Sequence, residues 1–260
     1  MIDHIRSYVR PRDLLRLMRV EDYGTFIQLI IGFVLAGSRD WMYLAGALAI
    51  LAPCIYGGLY ALNDVHDAAA DQMHPFKRSR PVASGRIDPQ SASMLGTGLI
   101  GFGIGTAFVY DGKVLALALI FVLINLAYTF KFKTVPYLEI LLNAITHPLR
   151  FAAGLWLAGS WEHALLLATW TPAVFAITTL KRIKEMRESS AAVRPVLKHY
   201  DQARLKKLIT ASILLTLGIW PFTRQLDFIC TGIWIGITLF AVAGYFRSPH
   251  MRRLEEFLWR

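Results

Sequence analysis

Long apolar runs alternate with short polar segments along nearly the whole chain. Crossing a bilayer as an α-helix takes about 20 apolar residues. Runs of about that length fall near 23–38, 41–62, 91–110, 114–130, 138–158, 162–180, 207–222 and 228–246, the first and seventh being the shortest. They predict an all-α, polytopic membrane bundle of eight transmembrane helices, or nine if a short span hides within a longer run. The whole of 1–260 reads as a single domain. The first 22 residues are polar and basic and hold no apolar centre of the kind a cleavable signal peptide needs. The closing segment, SPHMRRLEEFLWR, is amphipathic and reads as a helix lying on the membrane surface.

Composition agrees with the pattern. A hydrophobic content of 55% and a mean hydropathy of +0.44 exceed what an ordinary soluble domain carries. The net charge of +10 raises the question of a nucleic-acid partner. Sorting lysine and arginine by loop answers it, because 24 of them fall on one side of the predicted spans and 3, Arg39, Lys113 and Arg224, on the other. The positive-inside bias therefore predicts both termini and both large polar loops in the cytoplasm of a bacterial-type inner membrane. Topology and anionic lipid headgroups account for the excess charge, and no nucleic acid is implied. Cys54 and Cys230 lie in apolar runs and fit no metal or disulfide pattern.

Candidate chemistry concentrates between Asn63 and Gly85, NDVHDAAADQMHPFKRSRPVASG, at the end of the second apolar run. Asp64, Asp67 and Asp71 recur at i, i+3 and i+7, so on a helix they share one face, with Asn63 one turn before Asp67. Carboxylates so close repel one another unless a cation sits among them. Oxygen-only ligands suit a hard ion such as Mg²⁺, which typically uses one or two carboxylates plus phosphate oxygens. Pro75 stops the helix, and Lys77, Arg78 and Arg80 follow, suited to phosphate. Acid for a metal beside base for phosphate predicts a diphosphate site. The alternative is a solvated loop whose basic residues serve topology alone.

A second polar cluster follows the sixth run. In LKRIKEMRESSAAVRPVLKHY, Glu185 and Glu188 stand three apart, surrounded by Lys181, Arg182, Lys184 and Arg187. The glutamates fit a second metal ion, or an orienting role for Lys181 and Arg182 on phosphate. An amphipathic helix with internal ion pairs explains the same residues. Arg150 lies midway along the fifth run, in NAITHPLRFAAG, where an unpaired charge is costly. It reads as lining a polar cavity, reaching a phosphate or an aspartate. Tyr128, Lys131 and Lys133 close the fourth run, as part of an anionic site or as interfacial anchors.

These residues carry a resemblance. Asn63-Asp64-x-x-Asp67-x-x-x-Asp71, followed by Arg80-Pro81-x-x-Ser84-Gly85, resembles the first signature of the UbiA superfamily of intramembrane prenyltransferases. The resemblance implies a helical bundle whose central cavity opens to lipid and is capped by aspartate-bearing cytoplasmic loops. It implies Mg²⁺ bridging Asn63, Asp64, Asp67 and Asp71 to a diphosphate, with Lys77 and Arg78 as phosphate contacts. Three further stretches are similar to the branch that makes polyprenylphosphoryl 5-phosphoribose. They are His74-Pro75-x-Lys77-Arg78-x-Arg80-Pro81, Leu149-Arg150-x-Ala152-Ala153-Gly154, and Lys181-Arg182-x-x-Glu185 with Arg194, Leu197 and Tyr200 behind it. Two features depart from these patterns. Glu185 and Glu188 stand where most of the family has a DxxxD pair, and Arg19-Val20-Glu21-Asp22-Tyr23-Gly24-Thr25 reads like the general prenyltransferases.

The expectation is an Mg²⁺-dependent transferase that joins a polyprenyl lipid to a second substrate with diphosphate as leaving group. Asp64, Asp67 and Arg150 are its expected catalytic residues. Phosphoribosyl transfer from phosphoribosyl pyrophosphate to polyprenyl phosphate leads, followed by prenyl transfer to an aromatic or lipid acceptor. A transporter of anionic substrates is the alternative from another class, though a dense acidic triad on a cytoplasmic loop is unusual there.

Overall fold

The computed structural model describes residues 10–74, 77–188 and 194–247, without the side chains of Glu188, Trp234 and several residues after it. Pro75, Glu188 as a ligand, Ser190 and the C-terminal amphipathic segment lie outside that description. The described residues contain helices and no strand. They are α1 (Pro11–Leu17), α2 (Ile27–Leu35), α3 (Trp41–Ala49), α4 (Gly57–Gln72), α5 (Pro89–Tyr110), α6 (Gly112–Phe130), α7 (Leu138–Ala158), α8 (Leu165–Glu188), α9 (Gln202–Ile219) and α10 (Gln225–Arg247), joined in part by short 3₁₀ turns.

Each apolar run coincides with helix. Among the described residues, four helical stretches are long and apolar enough by length and composition to cross a membrane: Trp41–Gln72, Pro89–Tyr110, Gly112–Phe130 and Gln202–Phe222. In α7 and α8 the apolar runs are diluted by Glu139, His147, Arg150 and the charged end of α8. Aspartates set several helix starts. Asp40, Asp88, Asp111 and Asp201 accept the first free backbone N–H groups of α3, α5, α6 and α9, which satisfies donors a helix cannot satisfy itself.

Two compact units divide the chain. The first holds α1 and α3 to α6. Its α3 continues into α4 through a π-helical stretch, Ile50–Tyr56, around Pro53. Proline has no N–H to give the preceding turn, and the Ala49 carbonyl instead accepts from the Cys54 thiol at 3.7 Å. The resulting rod of 32 residues is about 48 Å long at 1.5 Å per residue, against about 30 Å of hydrocarbon. Its last turns therefore run past the apolar portion, and these carry the aspartates. α4 packs on α5 at Gly58 and Gly96, where a Cβ on either glycine would come within 3 Å of the other's carbonyl oxygen. Such close backbone approach is the usual contact between membrane helices.

The second unit holds Ile31–Gly37 and α7 to α10. α8 packs on α7, α9 and α10. Phe151, Leu155, Leu166 and Trp170 fill one core, and Ile140, Ile183, Leu197, Leu205 and Ile209 another. Buried threonines add polar contacts between helices: Thr169 meets Thr231 at 3.1 Å, and Thr216 donates to the Thr169 carbonyl at 3.4 Å.

Candidate active site

In the first unit, α4 places Asn63, Asp64, Asp67 and Asp71 along one face, as the spacing predicts. Asp64 is 2% and Asp71 4% exposed, so neither charge survives unpaired. Each acid meets a cation supplied by another segment. Arg19 donates to Asp64 Oδ1 at 2.5 Å, and Arg80 reaches Asp71 Oδ2 at 2.6 Å and Asp64 Oδ1 at 3.6 Å. Lys133 pairs with Asp67 Oδ2, which also accepts from the Asn63 amide at 3.2 Å. Arg19 sits over the Tyr60 ring, 5.0 Å from its centroid. Burial opposes its charge, but the Asp64 carboxylate outweighs that and raises the guanidinium's pKa.

The loop after α4 is shaped to hold Arg80. Val82 and Ile87 are buried against Leu17, Ala61 and Ala92, which anchors the loop to α1, α4 and α5. The Ser84 hydroxyl donates to the Arg80 carbonyl at 2.7 Å, and Gly85 takes φ 74°, a left-handed turn that favours glycine. Arg86 bonds Asp13 at 2.8 Å and the Ser79 carbonyl at 2.6 Å, tying the loop to α1. Lys77 and Arg78 form a short 3₁₀ turn beside it, with Arg78 exposed. At the far end of α6, Lys131 lies 5.7 Å from the centroid of the Phe132 ring, and Tyr128 is half-buried.

No cluster of three or more acidic, histidine or cysteine side chains is arranged as a metal cage among the described residues. The face nevertheless fits a hard cation. Its donors are all oxygens, and Asp64 Oδ2 is buried without a hydrogen-bond partner among the described residues. Buried carboxylate oxygens are normally satisfied, so this one has a coordination position to offer.

The second unit assembles a different polar centre. Glu139, at the start of α7, is fully buried and receives both edges of Arg182, from Nε at 2.6 Å and Nη2 at 2.8 Å. The remaining Nη1 donates to both oxygens of Glu185 at 3.0 Å. Tyr200 donates to Glu139 at 2.7 Å, and burial, with the adjacent carboxylate, pushes its phenol pKa up so that it stays a donor. Arg182 is thus held within the protein, while its neighbour Lys181 is exposed. Arg150 is 4% exposed on α7 and donates to the Thr146 carbonyl at 3.4 Å. The helix continues unbroken through Pro148.

The sequence reading missed Glu139, whose only signal was an acid in the first turn of an apolar helix. It counted Arg19 for topology and as part of the first-span pattern, and nothing local marks it as the partner of Asp64.

A sequence model of the UbiA prenyltransferase family matches residues 25–256. The chain is similar to a decaprenyl-phosphate phosphoribosyltransferase of Corynebacterium glutamicum, 28% identical over 230 residues that cover 81% of this chain and 68% of that protein. The protein of the same description from Mycobacterium tuberculosis is 27% identical over 178 residues, 64% of this chain and 57% of its own length. In fold, the chain resembles a UbiA homologue from Archaeoglobus fulgidus bound to DMAPP and Mg²⁺, with a TM-score of 0.73 at 18% identity, covering 87% of this chain and 84% of the other.

Proposed function

The chain belongs to the UbiA prenyltransferase family, and from that premise we propose that it is an integral membrane transferase moving phosphoribose from phosphoribosyl pyrophosphate to a polyprenyl phosphate. In that reaction an oxygen of the lipid phosphate bonds to carbon 1 of the ribose. The bond from that carbon to diphosphate breaks, and diphosphate departs with the electron pair.

The observation that carries the reading is the charge balance on α4. Asp64, Asp67 and Asp71 are matched by Arg19, Arg80 and Lys133, so a diphosphate arriving there needs further positive charge. Mg²⁺ would be held by Asp64 and Asp67, with Asn63 and Asp71 completing an oxygen set. When bound, it neutralises charge on the leaving group. Arg80 keeps its bond to Asp71 while facing phosphate, and Lys77 and Arg78 add charge-assisted bonds. Arg19 orients Asp64 and offsets part of the cost of burying its charge. On the same reading Tyr128 and Lys131 are further phosphate contacts in the first unit, and in the second unit Arg150 and Lys181 are candidate phosphate contacts of their own, with Glu185 and Glu188 as the candidate second acidic site. Arg182 acts through Glu139 and Glu185, which already occupy its donors. The lysine and arginine bias supports placing both termini and both polar loops in the cytoplasm.

The similarity to phosphoribosyltransferases favours this donor and acceptor. The family's description, and a structural relative bound to DMAPP and Mg²⁺, favour a second reading: prenyl transfer from a prenyl diphosphate to an aromatic or lipid acceptor. Incubating the purified protein with Mg²⁺ and either substrate pair, then identifying the lipid by mass spectrometry, decides between them. We expect a phosphoribosylated polyprenyl phosphate that disappears with excess chelator. A prenylated acceptor, with no product from phosphoribosyl pyrophosphate, would install the second reading. Gradient-driven anion uptake without diphosphate release would point to a transporter.

A further inference from the structure

An open groove of about 760 Å³ runs along the second unit, within the volume range of small-molecule sites. Tyr137, Leu138 and Leu141 of the α7 end form one wall, and Phe175 of α8 forms the floor. α9 supplies the other wall through Arg204, Lys207, Leu208 and Ala211, which recur at i, i+3, i+4 and i+7 and so share one helical face. Along that face the cations come first and the apolar residues follow, Ala211 lying about 10 Å beyond Arg204 at 1.5 Å per residue. The groove is therefore apolar along its length, lined by the stems of Arg204 and Lys207, whose charged ends stand outside it in solvent at its rim.

The α7 wall of the groove is also where the backbone is strained. Tyr137 holds φ 64° and ψ −41°, a conformation non-glycine residues avoid, and such strain gathers at functional sites. It is clamped there: the Tyr137 N–H donates to the Tyr200 hydroxyl at 3.3 Å, the two rings meet edge to face at 5.3 Å, and Tyr200 in turn bonds Glu139. The result is a Tyr137 ring fixed in the wall of the groove.

We propose that this groove is a binding site for an anionic diacyl phospholipid, with its phosphate on Arg204 and Lys207 and an acyl chain along Leu141, Phe175, Leu208 and Ala211. Charge complementarity selects a phosphate, and the apolar walls select a lipid over a free anion. The Arg204 side chain is 75% exposed, so the phosphate stands in the headgroup region beside water. That suits a bilayer lipid rather than a group about to react. Asp201, 4.0 Å from Arg204 and itself exposed, competes weakly, because solvent-exposed ion pairs contribute little. The inference does not rest on the transfer reaction.

The test is binding, read by thermal unfolding and native mass spectrometry of the full chain in neutral detergent. Phosphatidylglycerol should raise the unfolding temperature and remain bound, and phosphatidylcholine should do neither. Arg204→Ala with Lys207→Ala should weaken phosphatidylglycerol binding about twenty-five-fold, at about fivefold per juxtamembrane cation. Ala211→Trp, which keeps both cations and fills the apolar end of the groove from the α9 wall, should abolish it. Equal stabilisation by both lipids, or unchanged phosphatidylglycerol binding in both variants, would overturn the proposal. So would polyprenyl phosphate binding through these residues where phosphatidylglycerol does not. Because none of these readouts is turnover, failure here leaves the proposed reaction standing, and the reverse holds too.

Discussion

Asp64 and Asp67 stand one turn apart on α4, yet their surroundings assign them different work. Asp64 is almost wholly buried between Arg19 and Arg80 and keeps one oxygen without a partner among the described residues, whereas Asp67 is somewhat less buried and shared by Lys133, Asn63 and His66. Replacing Asp67 with asparagine keeps its shape and removes its charge. The α4 face then carries an excess cation in Lys133 and a poorer ligand for a hard ion. Asp67→Asn should lower turnover at least a hundredfold while the protein elutes from size exclusion and melts as the parent does. Turnover within threefold of the parent would remove Asp67 from the metal site.

At the level of elements, the Glu139–Arg182 pair locks α7 to α8, and Tyr200 adds the turn before α9. Removing one member of a buried ion pair strands the other in a medium that solvates charge poorly, at a cost of about 3–5 kcal/mol. Replacing both with apolar groups removes that cost. Glu139→Leu should therefore destabilise the protein in detergent by about that amount. Glu139→Leu combined with Arg182→Met should recover most of the loss, leaving Glu185, which is partly solvated, as the residual defect. Unfolding curves of the three variants measure this, and a double variant no more stable than Glu139→Leu would show that the pair is not the lock between these helices.

For the molecule as a whole, the question is which side of the membrane each polar segment occupies. The charge bias predicts that a cysteine at Ser79, on the α4–α5 connection, reacts only with reagent supplied from the cytoplasm. One at Ser160, after α7, should react only from outside. Replacing Cys54 and Cys230 first, both half-buried in helices, gives a clean background. Labelling of both positions from one side would require an even number of crossings between them, one more or one fewer than the three that α5, α6 and α7 provide.

Much of this protein was legible in its sequence, because the features concerned are local. A long apolar run must become a helix in lipid, since no other single segment satisfies its own backbone there, and each predicted run coincides with helix. The i, i+3, i+7 spacing of Asp64, Asp67 and Asp71 follows from helical pitch alone, and the family follows from the same residues. What balances those acids was decided elsewhere. Arg19 lies 45 residues from Asp64 and Lys133 lies 66 from Asp67, while Glu139 lies 43 from Arg182. Pitch and hydropathy say nothing about pairs so far apart in sequence. Only the packing of α1, α4 and α6 in one unit, and of α7 and α8 in the other, brings each charge to the partner that makes its burial tolerable.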